Sequence, residues 1–268
     1  LEEMHRRWGH LPRQAVMEPA IKLARDGFIL RQGDVDLLAT STEAFRKDPY
    51  ARAVFLRPDG SPLRVGDRLI QKDLANSLDL ISRDGAIAFY KGPIARTLVK
   101  LSHHNGGILQ MADFEHYKPR ELPPLSCGYR GFTVETAPPP SAGGVALCEI
   151  LGILSGYDMH ALGLHTAPAL QREIEAMRHA YSDRRNLGDP AFVQNPLTPL
   201  PDPADPDAVR ASLPTDRAVP STSPTAGAVS PDKPRTTQFS VLAPDGFATS
   251  TTSPPKGRRA ALVEGGRP

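Results

Sequence analysis

Cysteine is almost missing from this chain of 268 residues, which has only Cys127 and Cys148. Two are too few for a disulfide framework and lack metal-ligand spacing, so the expectation is a pair of buried thiols that leave the redox compartment open. Also missing is any run of about 18 apolar residues, which excludes a spanning helix in this sequence. Charge of one sign is in short supply: Lys and Arg total 32 against 30 for Asp and Glu, a formal charge of +2. Without a strong field there is no argument for a nucleic-acid partner or an anionic membrane surface. The eight histidines form no HExxH pattern and no Cys/His set, so neither a metal nor a cofactor is expected. There is no initiator methionine and no signal-peptide pattern. The chain opens on Leu1 within a helical stretch, which gives the expectation that sequence precedes it and leaves localisation unknown.

What is present is enough length for one large domain or two ordinary ones, with a substantial core. The first hundred or so residues are helix-rich. After an opening helix in "LEEMHRRWGHLP", "PRQAVMEPAIKLARDGF" places Val16, Ala20, Leu23 and Ala24 at helical spacing, with Gly27 as C-cap and Pro19 best suited to the first turn. "RQGDVDLLATSTEAFRKDP" reads as a helix stopped by Pro49, and "RPDGSPLRVGDRLIQ" as a turn followed by a short extended segment. "QKDLANSLDLISRDG" and "IAFYKGPIARTLVKLSHHNGG" read as amphipathic helices ended by glycine. From Tyr129 to Pro138 the alternation predicts a strand. A proline run, a turn at Gly143 and Gly144 and an apolar helix from Val145 to about Leu154 come next. The best helix begins at Thr166 and carries Leu170, Ile174, Met177 and Tyr181 on one stripe. Between Pro196 and Pro234 no period survives and a mobile loop is expected. "TTQFSVLAPDGFATSTT" then predicts a hairpin turning at Pro244-Asp245-Gly246.

Few side chains stand out for chemistry. His103 and His104 sit near a helix end, where interaction with the terminus is the ordinary explanation. "GDP" at 188–190 lacks the glycine spacing and lysine of a phosphate loop and reads as a turn. Ser141 in "APPPSAGGV" has no GxSxG frame, so it is not a nucleophile elbow. The glycines beside it let the backbone approach a neighbour closely. Thr236 and Thr237 open the last hairpin and, taken alone, are β-branched residues in a strand.

Taken together, "MEPAIKLARDGF", "FYKGPIARTLVKL", "GGILQMADFEHYKP", "PPPSAGG", "EAMRHAYSDRRNLGDPAFVQNPL" and "TTQFSV", in this order, resemble the γ-glutamyltransferases (glutathione hydrolases) from Leu1 to about Gly246. The resemblance implies an α+β fold, the four-layer αββα sandwich of the N-terminal-nucleophile hydrolases. It also implies a precursor that cuts itself at Arg235-Thr236. Residues 1–235 would belong to a large subunit, with the mobile loop at about 196–234, and residues 236–268 would start a small subunit. Thr236 would be the catalytic nucleophile. A threonine hydroxyl needs a base within reach, and cleavage supplies one in the same residue, an α-amine with a pKa of roughly 7.7 to 8.0. The implied partners are small molecules, namely glutathione and other γ-glutamyl amides as donors and water, amino acids or peptides as acceptors.

The sequence departs from the family pattern in places. Gln238 stands where a histidine is usual and Phe247 where an asparagine is. Pro254 and Lys256 fall on the threonine and asparagine that help hold the nucleophile, and proline has neither a hydroxyl nor an N–H. The arginine for the substrate carboxylate and the oxyanion serines and glycines have no counterpart in the chain. The expectation is a family member truncated at both ends, with a shifted reading frame near Thr249 to Lys256, inactive alone. A non-catalytic remnant and an acylase of the same fold, such as a cephalosporin acylase, are the alternatives.

Overall fold

The structure, a computed structural model, describes residues 1–184, 187–193, 195, 204–214, 217 and 237–253. They divide into two compact units, Leu1–Pro119 with Pro234–Pro268, and Arg120–Lys233.

Among its described residues the first unit is helical apart from two antiparallel strand pairs and an isolated bridge between Leu56 and Pro62. Helix α1 (Glu2–Trp8) leads into α2 (Arg13–Asp26), which ends at Gly27 with φ 76°. A Cβ there would lie 2.6 Å from the Leu69 carbonyl oxygen, so glycine is needed both for the dihedral and for the approach. That approach lets β1 (Phe28–Ile29) pair with β2 (Arg68–Leu69). Pro19 lies well inside α2 rather than in its first turn. The helix continues through it because α2 packs along α6 (Lys72–Asp84), burying Ile21, Ala24 and Ala75, and tertiary burial outweighs the lost N–H. Arg13 fastens the pair by donating to the Ser82 and Arg83 carbonyls of α6, both at 3.0 Å.

Two segments expected as single helices are broken. Between β1 and β2 the chain forms α3 (Gln32–Ala39), α4 (Thr42–Lys47) and α5 (Pro49–Phe55). The preceding helix does end before Pro49, with Asp48 extended, and Pro49 then opens α5. It occupies the first turn, where no N–H is needed, and Asp48 Oδ1 accepts from the Tyr50 and Ala51 amides at 2.9 Å each. Similarly, "IAFYKGPIARTLVKL" divides at Lys91-Gly92 into α7 (Ala86–Tyr90) and α8 (Pro93–His104), with Pro93 starting the second helix. Helix α9 (Met111–Glu115) follows. Among the described residues, this unit also holds the hairpin of β5 (Thr237–Leu242) and β6 (Ala248–Ser253).

The second unit begins with β3 (Leu125–Tyr129) and β4 (Phe132–Thr136). The strand expected over 129–138 is present as β4, but its first residues are the turn of a hairpin whose other strand, β3, was not expected. Arg130 and Gly131 both take positive φ, 51° and 83°, the two-residue turn that suits strand twist. Helix α10 (Ala142–Ser155) follows the prolines, and Gly143 and Gly144 lie in its first turn rather than in a separate turn. Gly144 packs on the end of β4, where a Cβ would meet the Ala137 carbonyl oxygen at 2.2 Å. Cys127 of β3 and Cys148 of α10 are buried, as expected, but they are joined in a disulfide rather than left as thiols. Packing the hairpin against α10 brings their Cα atoms to 5.8 Å, within bonding range for residues 21 apart in sequence.

Helices α11 (Met159–Leu162) and α12 (Ala167–Asp183) complete the packing around Ile153, Leu154, Ala176 and Leu213. Leu170, Ile174, Met177 and Tyr181 do form a stripe on α12, but it is exposed. The buried face carries Ala169, Ala176 and Ala180, small enough for α10 to come close. Part of the expected loop is helical as well. α13 (Ala204–Ser212) docks on α10, with Leu213 buried and Arg210 donating to the Gly152 and Ile153 carbonyls at 2.8 and 3.2 Å.

Candidate active site

The residue singled out as nucleophile, Thr236, lies outside the described residues, as do Arg235, Pro254 and Lys256. The structure does describe the hairpin that Thr236 precedes. In β5 the side chains alternate, so Gln238, Ser240 and Leu242 share one face and Phe239 and Val241 the other. The antiparallel register sets Gln238 opposite Thr252 and Ser240 opposite Ser250. These four make a continuous polar ladder. Gln238 Nε2 donates to Ser250 Oγ at 2.6 Å, the Ser240 and Ser250 hydroxyls lie 3.0 Å apart, and the Thr252 hydroxyl donates to Gln238 Oε1. Both ends of the Gln238 amide are therefore engaged, which fixes its orientation at this position.

The turn forms where expected. Gly246, at φ 88°, donates its N–H to the Ala243 carbonyl at 3.0 Å, and Asp245 Oδ1 accepts from the Phe247 amide at 3.0 Å. Phe247 contributes backbone to the turn: its carbonyl accepts from Ala243 N at 2.8 Å, and its ring is exposed. Thr237 is the first strand residue and its backbone pairs with Ser253.

The other residues singled out in the sequence take structural places. Asp189 of "GDP" is held by two Arg120 nitrogens at 3.2 and 2.8 Å and accepts the Ala191 amide at 3.0 Å. The Arg120 guanidinium, helped by that amide, holds the Asp189 carboxyl below its ordinary range. Gly188 is bonded in both directions to Asn195, its N–H donating at 2.8 Å and its carbonyl accepting at 2.9 Å, so both its backbone groups are committed. Ser141 is the N-cap residue of α10, without a side-chain capping bond. His103 and His104 lie in the last turn of α8. No group of His, Cys, Asp or Glu among the described residues is arranged to hold a metal.

Sequence reasoning passed over four polar residues of α12. Arg172 and Glu175 are buried, with Glu175 paired to Arg178 at 2.9 Å. Arg172 lies over the Tyr157 ring at 5.1 Å and, with Gln171, reaches the Pro214 carbonyl. Their spacing among buried alanines was the available signal, masked by the more apolar stripe on the other face.

Comparison with known proteins adds an independent line. The profile of the family described as gamma-glutamyltranspeptidase matches residues 1–255. A glutathione hydrolase proenzyme of Pseudomonas sp. (strain A14) is 46% identical over 253 residues, covering 94% of this chain and 44% of that protein. The acylase ACY 1 proenzyme of Pseudomonas sp. (strain V22) is 36% identical over 259 residues, covering 96% of this chain and 46% of that protein. Among solved structures, the Helicobacter pylori gamma-glutamyltranspeptidase superimposes with a TM-score of 0.78 at 32% identity, over 83% of this chain and 64% of that one. The fold is thus that of the N-terminal-nucleophile hydrolases, of which this chain carries an α+β part. The chain belongs to the γ-glutamyltranspeptidase family. It spans a little under half the length of the curated relatives it matches.

Proposed function

We propose that the chain is part of an autoprocessed γ-glutamyltransferase or glutathione hydrolase, in which Thr236 becomes a new N-terminus and acts as nucleophile. Residues 1–235 then belong to the large subunit and residues 236–268 open the small one. The observation that carries this reading is that the family match runs through Arg235-Thr236 and across the hairpin beyond it, to residue 255. The "TTQFSV" block is thus in its family context rather than an isolated strand.

The chemistry proceeds in two stages. In the precursor the Thr236 hydroxyl attacks the Arg235 carbonyl carbon and the peptide nitrogen leaves as the α-amine of Thr236. Water then hydrolyses the resulting ester, freeing the Arg235 carboxylate and the hydroxyl. In turnover that α-amine takes the hydroxyl proton as the oxygen attacks the γ-carbonyl of a γ-glutamyl amide, and the proton passes to the departing amine. A γ-glutamyl ester remains on Thr236. Water completes hydrolysis, and an amino acid or peptide amine completes transfer. Gln238, two residues along and held by Ser250 and Thr252, sits where the family usually has a histidine and preserves a hydrogen-bonding side chain on that face.

Mass spectrometry of the purified protein tests the first stage. Fragments breaking at 235 and 236 are expected, and Thr236→Ala abolishes them. A chain that stays whole after prolonged incubation overturns the reading and leaves a non-catalytic family member. The acylase relative at 36% identity supports a second substrate class. Competing a γ-glutamyl anilide against a cephalosporin side-chain amide separates the two.

A further inference from the structure

The β3–β4 hairpin is held within its unit by few contacts. Among the described residues its two strands pair only with each other. Of their ten residues Cys127 alone is buried, and its sulfur is bonded to Cys148 in the buried face of α10. The other ties are slighter. Tyr129 packs half-buried against the cluster around Ile153, Arg130 Nη2 donates to the Tyr157 carbonyl at 3.2 Å in an exposed bond, and Gly144 lies against the end of β4. Phe132, opposite Tyr129, is 74% exposed, so the tip buries little apolar surface. A two-stranded hairpin is marginal in water on its own. Helices α10 and α12, by contrast, pack directly on each other around Ile153, Leu154 and Ala176. We propose that the Cys127–Cys148 bridge is a redox-sensitive latch: oxidised, it locks the hairpin on α10, and reduced, it lets the hairpin open while α10 and α12 stay packed. The latch is independent of cleavage at Arg235-Thr236.

Opening takes two electrons, supplied by a dithiol reductant. One of its thiolates attacks a sulfur of the bridge, forming a mixed disulfide and expelling the other cysteine as a thiolate, which takes up a proton. The second thiol of the reductant loses its proton and displaces the first cysteine, which is protonated in turn, and the reductant departs as a cyclic disulfide. Cys148 is left as a neutral thiol in the face of α10, where a free cysteine packs as a small hydrophobe. The bridge joins residues 21 apart, and in the chain-entropy model closing a loop of that span shifts the equilibrium between docked and released forms by about 300-fold. A single hydrogen bond such as that of Arg130 is worth about two- to tenfold. The remaining contacts therefore keep the reduced hairpin docked for part of the time, but it opens far more often.

Limited trypsin digestion of the full chain reads the latch. Arg130 sits in the tight hairpin turn, at φ 51°, and is cut only when the hairpin opens, whereas Arg172 and Arg178 of α12 report on the rest of the unit. When opening is fast relative to cutting, the rate of each cut follows the open fraction. The oxidised protein, the same protein in dithiothreitol and a Cys127→Ala/Cys148→Ala variant are compared, with each cut timed by mass spectrometry. Reduction should speed the cut after Arg130 by about 30-fold or more, the lower end of what such a bridge contributes, and leave the cuts after Arg172 and Arg178 at their former rates. The double variant should be cut like the reduced protein, with or without dithiothreitol. A smaller change at Arg130 overturns the latch. So does equal acceleration at Arg172 and Arg178, since the unit then unfolds as a whole, and so does a response of the double variant to dithiothreitol. Two free thiols in the chain purified without reductant, found by alkylation in denaturant, also overturn it. None of these outcomes touches Thr236, so failure of the latch leaves the proposed function standing.

Discussion

Adjacent glycines in α10 are predicted to respond to alanine in opposite directions. Within a helix, alanine is favoured over glycine by about 0.8 to 1.0 kcal/mol. At Gly143 an added Cβ meets only the Ser141 hydroxyl at 3.8 Å, so Gly143→Ala should stabilise, by up to about 1 kcal/mol. At Gly144 the same atom would lie 2.2 Å from the Ala137 carbonyl oxygen and 2.8 Å from Thr136 Oγ1. A carbon and a carbonyl oxygen sit no closer than roughly 3.3 Å, so α10 has to retreat from the end of β4 by about 1 Å. Its retreat is opposed one turn further on, where Cys148 is bonded to Cys127 of the same hairpin. Overpacking of this kind costs about 1 to 3 kcal/mol, and subtracting the helix gain leaves Gly144→Ala destabilised by up to about 2 kcal/mol. Urea denaturation of both variants measures the difference. Repeating it in a Cys127→Ala/Cys148→Ala background should shrink the Gly144→Ala penalty by about 0.5 kcal/mol or more, because the helix is then free to move. A Gly144→Ala protein as stable as Gly143→Ala would refute the close-approach reading, and a penalty indifferent to the bridge would refute the coupling.

Two further outcomes follow from the first unit. Removing the cap of α5 by Asp48→Ala leaves the Tyr50 and Ala51 amides without their acceptor and should lower stability by about 1 kcal/mol in the same denaturation assay. Asp67 is held to a pKa of about 2, first by the Arg57 guanidinium and then by the Arg64 amide. Its unfolded value is about 3.9, so the folded form is the stronger acid and its contribution is complete above about pH 4. That contribution is lost as pH falls from about 4 towards 2. Stability measured across that window should therefore decline less steeply in Asp67→Asn than in the wild type, and equal slopes would count against the ion pair.

Much of the local architecture was legible in the residues. Gly27 and Gly85 close their helices, and Pro244-Asp245-Gly246 turns the last hairpin, because each depends on dihedrals that neighbours in sequence dictate. Prolines were harder to read. Pro49 and Pro93 begin helices and Pro19 sits within one, since the ring stops a helix only when the preceding turn has no reason to continue. The Arg130-Gly131 turn was missed because an arginine at positive φ carries no strong local signature. As for the site, Thr236 was picked out by family resemblance and by the chemistry of a threonine that can carry its own base. The engagement of both ends of Gln238 depends on a strand register that no single strand reveals.

By itself, the order of residues determined where most helices and the last hairpin lie, which family the chain resembles and which hydroxyl to suspect. Only the folded structure decided that Cys127 and Cys148 are bonded, that α12 buries its alanines and leaves its larger apolar stripe exposed, and that a stretch without periodicity holds α13 against α10. The reason is range. Dihedral preference and periodicity act over a turn or two of chain, whereas a disulfide partner, a buried helix face or a docked segment depends on which distant residues packing brings alongside.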